Sequence, residues 1–400
     1  MTNQLHDTYS LKGTSMEKFF EEIERMDNIT HYETIPSGVI NLLSVDSENT
    51  TSERAMVYQY SANEPRKVRN VDIEKLNKQG ADKDLINETI NDSKLLLLIG
   101  KRLFFTSESM LKTLSSRVNI AGERFYTPTH ARNAYIAETM RDKPFNTKLM
   151  YRIDDNGVKK VFALFSQRYA VVPQVILKSI IENFTNDESG DESLGKCSCI
   201  NWEVTNFKSG IYVEFPEKAK DMAKLYGLPD EIIPGLYLAT SDVGECSVTA
   251  QETWRIKNSL SLGKTYKRVH KGSIDSLSVL SEIKRNIFET YTEVPERLCE
   301  LLTKEVSDPK KAFKMFFEQH NMSEKVGKDI SEKLLSELSA EINPSLSYTA
   351  YDIATTIMEL PARCSGLCET TMQKLQNIAS QAPFADYSCI SAADKVYLTA

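Results

Sequence analysis

The chain has 400 residues, of which 41% are hydrophobic and 26% charged, with a net charge of −7. That balance fits a folded protein with room for two or three domains and excludes global disorder. The longest apolar runs, such as Leu95–Ile99, have the length of a buried strand, well short of the roughly eighteen residues that a bilayer-spanning helix needs.

Seven cysteines, an odd number, argue against a disulfide framework. The polar segment Met1–Lys12 lacks the apolar stretch of an export signal, so the expectation is a soluble cytoplasmic protein with reduced thiols and no membrane association. Charge is unevenly spread. Residues 1–93 are net −7, 94–179 are +9, 180–251 are −8, 252–271 are +5 and 272–400 are −6. Two basic segments inside an acidic chain mark either an anionic partner or internal charge balance.

The first elements are mixed. Ser15–Met26 predicts a helix, with Thr14 or Ser15 as its cap and Phe19, Phe20 and Ile23 on one face. Val39–Val45 and Met56–Tyr60 have strand composition, and Val71–Ile90 reads as a surface helix or loop. Leu95–Phe105 predicts two short strands turning at Gly100, and Thr106–Val118 predicts a helix with Met110, Leu111 and Leu114 inward. Lys148–Ile153 and Val158–Arg168 flank Asp154-Asp155-Asn156-Gly157, whose Asn-Gly pair supplies the positive φ angles of a tight hairpin.

Pro173 opens a helix over Gln174–Phe184, and Asp187–Gly195 is an acidic loop. Trp202–Phe207 and Gly210–Phe215 predict a second hairpin, followed by a helix from Pro216 that stops at Gly227. Leu236–Thr240 and Cys246–Ile256 continue the strand pattern. Beyond Gly272 the reading is helical: Ile274–Tyr291, Glu296–Lys304, Pro309–Gln319, Lys325–Glu341, Tyr351–Glu359 and Thr370–Ala379, then a loop at Pro383–Ser388. The expected fold is α+β. An acidic mixed region (1–93) and a β-rich central domain (94–271) precede a helical C-terminal region (272–400).

Catalytic signatures are missing, so no catalytic residue is assigned. Gly190, Gly195 and Gly210 are too far apart for a phosphate loop, and Gly263-Lys264-Thr265 lacks the upstream glycine of a P-loop. None of His6, His31, His130, His270 and His320 lies in a hydrolase or zinc-protease motif. Cys197-Ser198-Cys199, with Cys246 and His270, has the wrong spacing for a zinc knuckle, so no metal and no cofactor are expected.

The basic segments offer the candidate binding residues. Arg255, Lys257, Lys264, Lys267, Arg268, His270 and Lys271 alternate with Trp254 and Tyr266, the mixture that phosphate neutralisation and base stacking require. A solvated strand edge would carry the same residues. Residues 101–152 are rich in arginine, with Arg124 and Arg132 beside Phe125, Tyr126 and Tyr135. Arginine suits bidentate phosphate contacts and equally suits internal ion pairs.

Lys160–Val172 with the helix Pro173–Ile181 resembles the Ser-x-x-Tyr strand-to-helix element of a phage- and plasmid-encoded family, domain-of-unknown-function family 932. Ser166, Arg168 and Tyr169 are the matching positions. Gly235–Gly244, the run ending at Trp254-Arg255, and Arg268–Gly272 are similar to its later strands, so the resemblance covers residues 130–285. It implies a mobile-element origin and carries over no reaction and no catalytic residues. The leading expectation is a phage or plasmid accessory protein that binds DNA or RNA, single-stranded for instance, without catalysis. The alternatives are a host-directed protein–protein interaction factor such as an anti-defence protein, an enzyme of unrecognised class, and a virion or scaffold component.

Overall fold

The computed structural model describes residues 4–46, 54–61, 67–72, 80–81, 83–122, 129–185, 194–268, 282–283, 287, 292–364 and 366–387. The fold is α+β, with two large sheets and a helical C-terminal part.

The first sheet has eight strands: β2 (Thr30–Pro36), β3 (Ile40–Asp46), β4 (Arg54–Ser61), β5 (Lys67–Asp72), β6 (Leu95–Ile99), β7 (Arg102–Thr106), β8 (Asn146–Ile153) and β9 (Lys159–Ser166). Their spatial order is β2-β8-β9-β7-β6-β3-β4-β5, and only β7 and β9 pair in parallel. Leu95–Ile99 is an unbroken apolar run because both of its faces are covered. On one face, Leu97 and Phe104 pack with Met110, Leu111 and Leu114 of α3 (Glu108–Arg117) and with Ile136 and Met140 of α4 (Thr129–Asp142). On the other, Leu96, Phe105 and Phe162 meet Leu5 together with Leu85 and Ile86 of α2 (Lys83–Asn91). The predicted hairpin forms between β8 and β9. Asp154 accepts bonds from the Asn156 and Val158 amides at 3.0 and 2.8 Å, and Gly157 takes φ +78°.

The second sheet has the order β1-β10-β11-β12-β13-β14 and is antiparallel throughout. Its strands are β1 (Ser10–Gly13), β10 (Ser198–Thr205), β11 (Ser209–Glu214), β12 (Ile232–Thr240), β13 (Val248–Ile256) and β14 (Ser259–Arg268). Alternate residues such as Val204, Ile211, Val213, Leu236 and Trp254 point to a core shared with α1 (Met16–Ile29) and α5 (Ile176–Thr185). Ser15 caps α1 by accepting the Lys18 amide, and Phe19, Ile23 and Met26 form its buried face. Between β11 and β12, α6 (Pro216–Tyr226) opens on Pro216 and ends at Gly227, at φ +63°.

The C-terminal helices are α7 (Glu293–Leu301), α8 (Pro309–Gln319), α9 (Met322–Val326), α10 (Lys328–Glu341), α11 (Ala350–Met358), α12 (Leu360–Arg363) and α13 (Glu369–Ala379). They join the core of the six-stranded sheet, a continuous apolar cluster that runs from Tyr9 to Tyr387.

The structure departs from expectation in several places. Residues 1–93 give strands to both sheets, and β3 pairs with β6 across the 93/94 boundary. Residues 94–271 are divided between the two sheets. The helix expected over Lys325–Glu341 is broken by Gly327, whose φ of +102° lies outside helical geometry. Helix α4 was not foreseen because polar residues occupy core-facing positions: Asn133 donates to Ser44 at 2.8 Å and Arg132 to the Ser93 carbonyl at 3.1 Å. The loop Asp187–Gly195 and the helix Ile274–Tyr291 fall largely outside the described residues, although Ile283 and Ile287 are helical and buried.

A buried polar joint ties the sheets together. Arg152 on β8 is fully buried and pairs with Asp242, just after β12, at 2.8 Å. It also donates to the Asn206 carbonyl at 3.0 Å and to the Thr30 hydroxyl at 3.2 Å. Gln174 donates to the same Asp242 oxygen at 3.1 Å. Directly opposite Arg152 across the β8–β9 ladder, the buried Lys160 pairs with Asp7 at 2.9 Å and with Glu88. Both cations flank the Phe162 ring. Charges taken this far from water persist only when so fully partnered.

Candidate functional site

Most of the residues expected to meet nucleic acid are engaged by the protein itself. Trp254 is 1% exposed and packs in the core, so its ring has no face for a base. Arg255 forms a two-pronged pair with Glu214 at 2.7 and 2.6 Å. Lys257 pairs with Glu359 at 2.6 Å, Lys264 with Glu293 at 2.5 Å and Arg268 with Glu282 at 3.7 Å. Tyr266 packs against the core. Arg132 is buried within the first sheet. Arg124, His270 and Lys271 lie outside the described residues. Lys267 is exposed, and among the described residues it makes no ion pair.

Lys267 instead lines a groove of about 800 Å³ on the face of the six-stranded sheet turned away from the core. The pairing register explains the groove. One row across the strands reads Glu203, Gly210, Ala239, Thr249 and Lys267, with three small residues in the middle. The next row reads Asn201, Tyr212, Tyr237, Gln251 and Thr265. Small residues beside large ones leave a trough.

Glycines set the posture of the two tyrosines. A Cβ at Gly210 would lie 2.9 Å from the Tyr237 hydroxyl, and a Cβ at Gly235 would lie 3.1 Å from the Tyr212 ring. Each ring therefore leans over the bare backbone of the neighbouring strand. Tyr212 is fixed further, since its hydroxyl donates to Glu214 at 2.5 Å and Glu214 holds Arg255. Burial raises the Tyr212 pKa well above its ordinary value, and the Glu214 bond adds to this, so the phenol stays neutral. Helix α13 forms one wall of the groove. Glu369, Gln373, Gln376 and Asn377 recur at helical spacing along the groove side, while Leu375, Ile378 and Ala379 are buried.

The groove is nearly charge-balanced. Glu203 is paired with Lys12 at 3.0 Å, which leaves Lys208 and Lys267 against Glu245 and Glu369. The Lys208 ammonium is 5.4 Å from the Tyr237 ring centroid. Desolvation is the largest influence on the Lys208 pKa and lowers it, but the neighbouring Tyr237, Cys246 and Glu369 together outweigh it and the net shift is upward. The half-buried Cys246 thiol also lines the groove. Burial raises its pKa, with Lys208 and Lys267 acting in the opposite sense, so it stays a neutral thiol. The chemistry on offer is stacking on rings, paired donors and acceptors from amides, and two cations. Among the described residues no group of three His, Cys, Asp or Glu side chains could hold a metal ion.

Sequence reasoning passed over Tyr212, Tyr237, Lys208 and the α13 amides. The available signal was the two glycines inside strands, Gly210 and Gly235, which mark close approach of another group. No protein-family model, curated protein or solved structure matches the chain. No helix among the described residues is long and apolar enough to cross a membrane.

Proposed function

We propose that the chain is a binding protein, with no catalytic step of its own, that takes a short stretch of single-stranded DNA or RNA in the groove on the six-stranded sheet. The observation that carries this reading is the half-buried Tyr237, lying over Gly210 and backed across the strands by the buried Tyr212, beside the amide stripe of α13. Bases have flat faces that stack on such rings whatever their sequence. Gln373, Gln376 and Asn377 each offer a donor and an acceptor, which suits the exposed edges of unpaired bases. The resemblance of residues 130–285 to the phage- and plasmid-encoded family supports a mobile-element setting for such a strand.

This reading moves the contact surface away from the basic segment as a whole. Two groove lysines can neutralise about two phosphates, so the slope of log affinity against log salt should be no steeper than about −1.5. Titration of a labelled single strand of about ten nucleotides, followed by anisotropy at low salt, tests the reading. Tyr237→Ala should weaken binding about tenfold or more while leaving the melting temperature within a few degrees of wild type. No binding at low salt, or binding indifferent to Tyr237→Ala, overturns it. A glycan that binds where oligonucleotides do not would transfer the groove to a neutral ligand.

A further inference from the structure

We infer that the groove selects adenine, with a base stacked on Tyr237 read by the carboxamides of Gln251 from the sheet and of Gln376 and Asn377 from α13. This rests on the reading of the groove given above and adds to it the base that the strand must carry.

The register places the first of these groups. Tyr237 and Gln251 stand directly opposite each other on β12 and β13, so their side chains leave the same face of the sheet. Residues opposed in this way have Cβ atoms about 5 Å apart, a gap that one base can span. Gln376 and Asn377 line the same groove from α13. A base on Tyr237 therefore meets carboxamides from two elements, the sheet and the helix.

These amides are not used by the protein. Among the described residues the side chains of Gln251, Gln376 and Asn377 make no hydrogen bond, whereas Gln373 donates to Glu369 at 3.4 Å. Carboxamides elsewhere are engaged. Gln174 donates to Asp242 at 3.1 Å, Asn133 to Ser44 at 2.8 Å and Asn206 to the Gln4 carbonyl at 2.9 Å. Gln251 and Gln376 are half-buried, so each has already given up part of its water. A ligand edge that supplies both missing bonds recovers that loss.

A carboxamide presents a donor beside an acceptor, and its complement is an edge with the same pair reversed. Adenine has such an edge twice, N6 with N1 on the Watson–Crick side and N6 with N7 on the Hoogsteen side. Cytosine and thymine have it on the Watson–Crick side alone. Guanine shows two acceptors on its Hoogsteen edge, which call for a bidentate cation. Among the described residues lining the groove there is no arginine, and its lysines are offset by Glu245 and Glu369. Free amides on two elements match the base that can be read from two sides.

The test uses thymidine strands of about ten nucleotides whose central positions carry adenine, cytosine, guanine, thymine or purine, the last being adenine without its 6-amino group. Anisotropy at low salt reads the affinities. The adenine strand should bind wild type about tenfold tighter than the thymine strand, within the discrimination of one bidentate contact. The purine strand keeps a stacking face of the same size but lacks the donor, and should fall most of the way to the thymine level. In a Gln251→Leu/Gln376→Leu double variant, the adenine-to-thymine ratio should drop below about threefold. A purine strand that binds wild type as tightly as the adenine strand shows stacking alone and overturns the inference, whether or not the double variant folds. All strands binding alike, or guanine binding best, also overturns it and leaves the groove reading standing. If no strand binds wild type at low salt, both fall.

Discussion

Glu252 should make this protein less stable as pH rises through neutrality. Its side chain is 3% exposed on the core side of β13, beside Trp254 and the bare backbone of Gly263. Burial pushes its pKa up from 4.5 to about 7, against smaller opposing effects from the Lys264 amide and ammonium. The folded state therefore holds a proton there that the unfolded chain releases near pH 4.5. Stability from this group is fully present below the unfolded value and is lost as pH climbs through the folded one. At about 1.4 kcal/mol per pH unit, the rise corresponds to roughly 3 kcal/mol. Glu252→Gln keeps the shape and the acceptor oxygen but cannot ionise. Urea unfolding at pH 5 and pH 8 should show wild type and variant close together at the lower pH. At the higher pH the variant should be more stable by up to about 3 kcal/mol. An equal difference at both pH values would refute the reasoning.

Three further outcomes follow from the packing. Removing one partner of the buried Arg152–Asp242 pair, as in Asp242→Ala, should cost about 3–5 kcal/mol in denaturant titration, because it strands a charge between the two sheets. Trp254→Ala should cost about 3–5 kcal/mol of stability, the price of a large cavity, and any binding loss should track the unfolded fraction. Gly210→Val should tilt Tyr237 off the strand, since the new side chain needs the space of the tyrosine hydroxyl. Oligonucleotide affinity should then fall about tenfold, the stacking contribution of one ring, with the far-ultraviolet circular dichroism unchanged.

Local signals in the chain gave reliable local structure. Asn156-Gly157 announced its hairpin, the Leu95–Ile99 run its buried strand, and Pro216 with Gly227 the two ends of a helix, because each rests on backbone geometry that a few residues decide. Long-range pairing was not legible. Nothing in Ser10–Gly13 says that it will extend a sheet built from residues 198–268, and Thr30–Pro36 finds β8 more than a hundred residues away. The same distance hid the roles of the charges. Arg255, Lys257 and Lys264 look like a phosphate-binding stripe in sequence, yet Glu214, Glu359 and Glu293 arrive from elsewhere in the chain to pair with them. The groove was invisible for a related reason. Its tyrosines and amides come from strands and a helix up to 176 residues apart, from Asn201 to Asn377, and only the register sets them side by side.

Photo-crosslinking with mass mapping tests the central claim most directly. A single strand of about ten nucleotides carrying one photoreactive base should attach to Tyr237 or the groove side of α13 when bound at low salt. Excess unlabelled strand should suppress the adducts. Adducts confined to Lys257, Lys264 or the eight-stranded sheet would contradict the account, as would a strand that leaves the groove untouched.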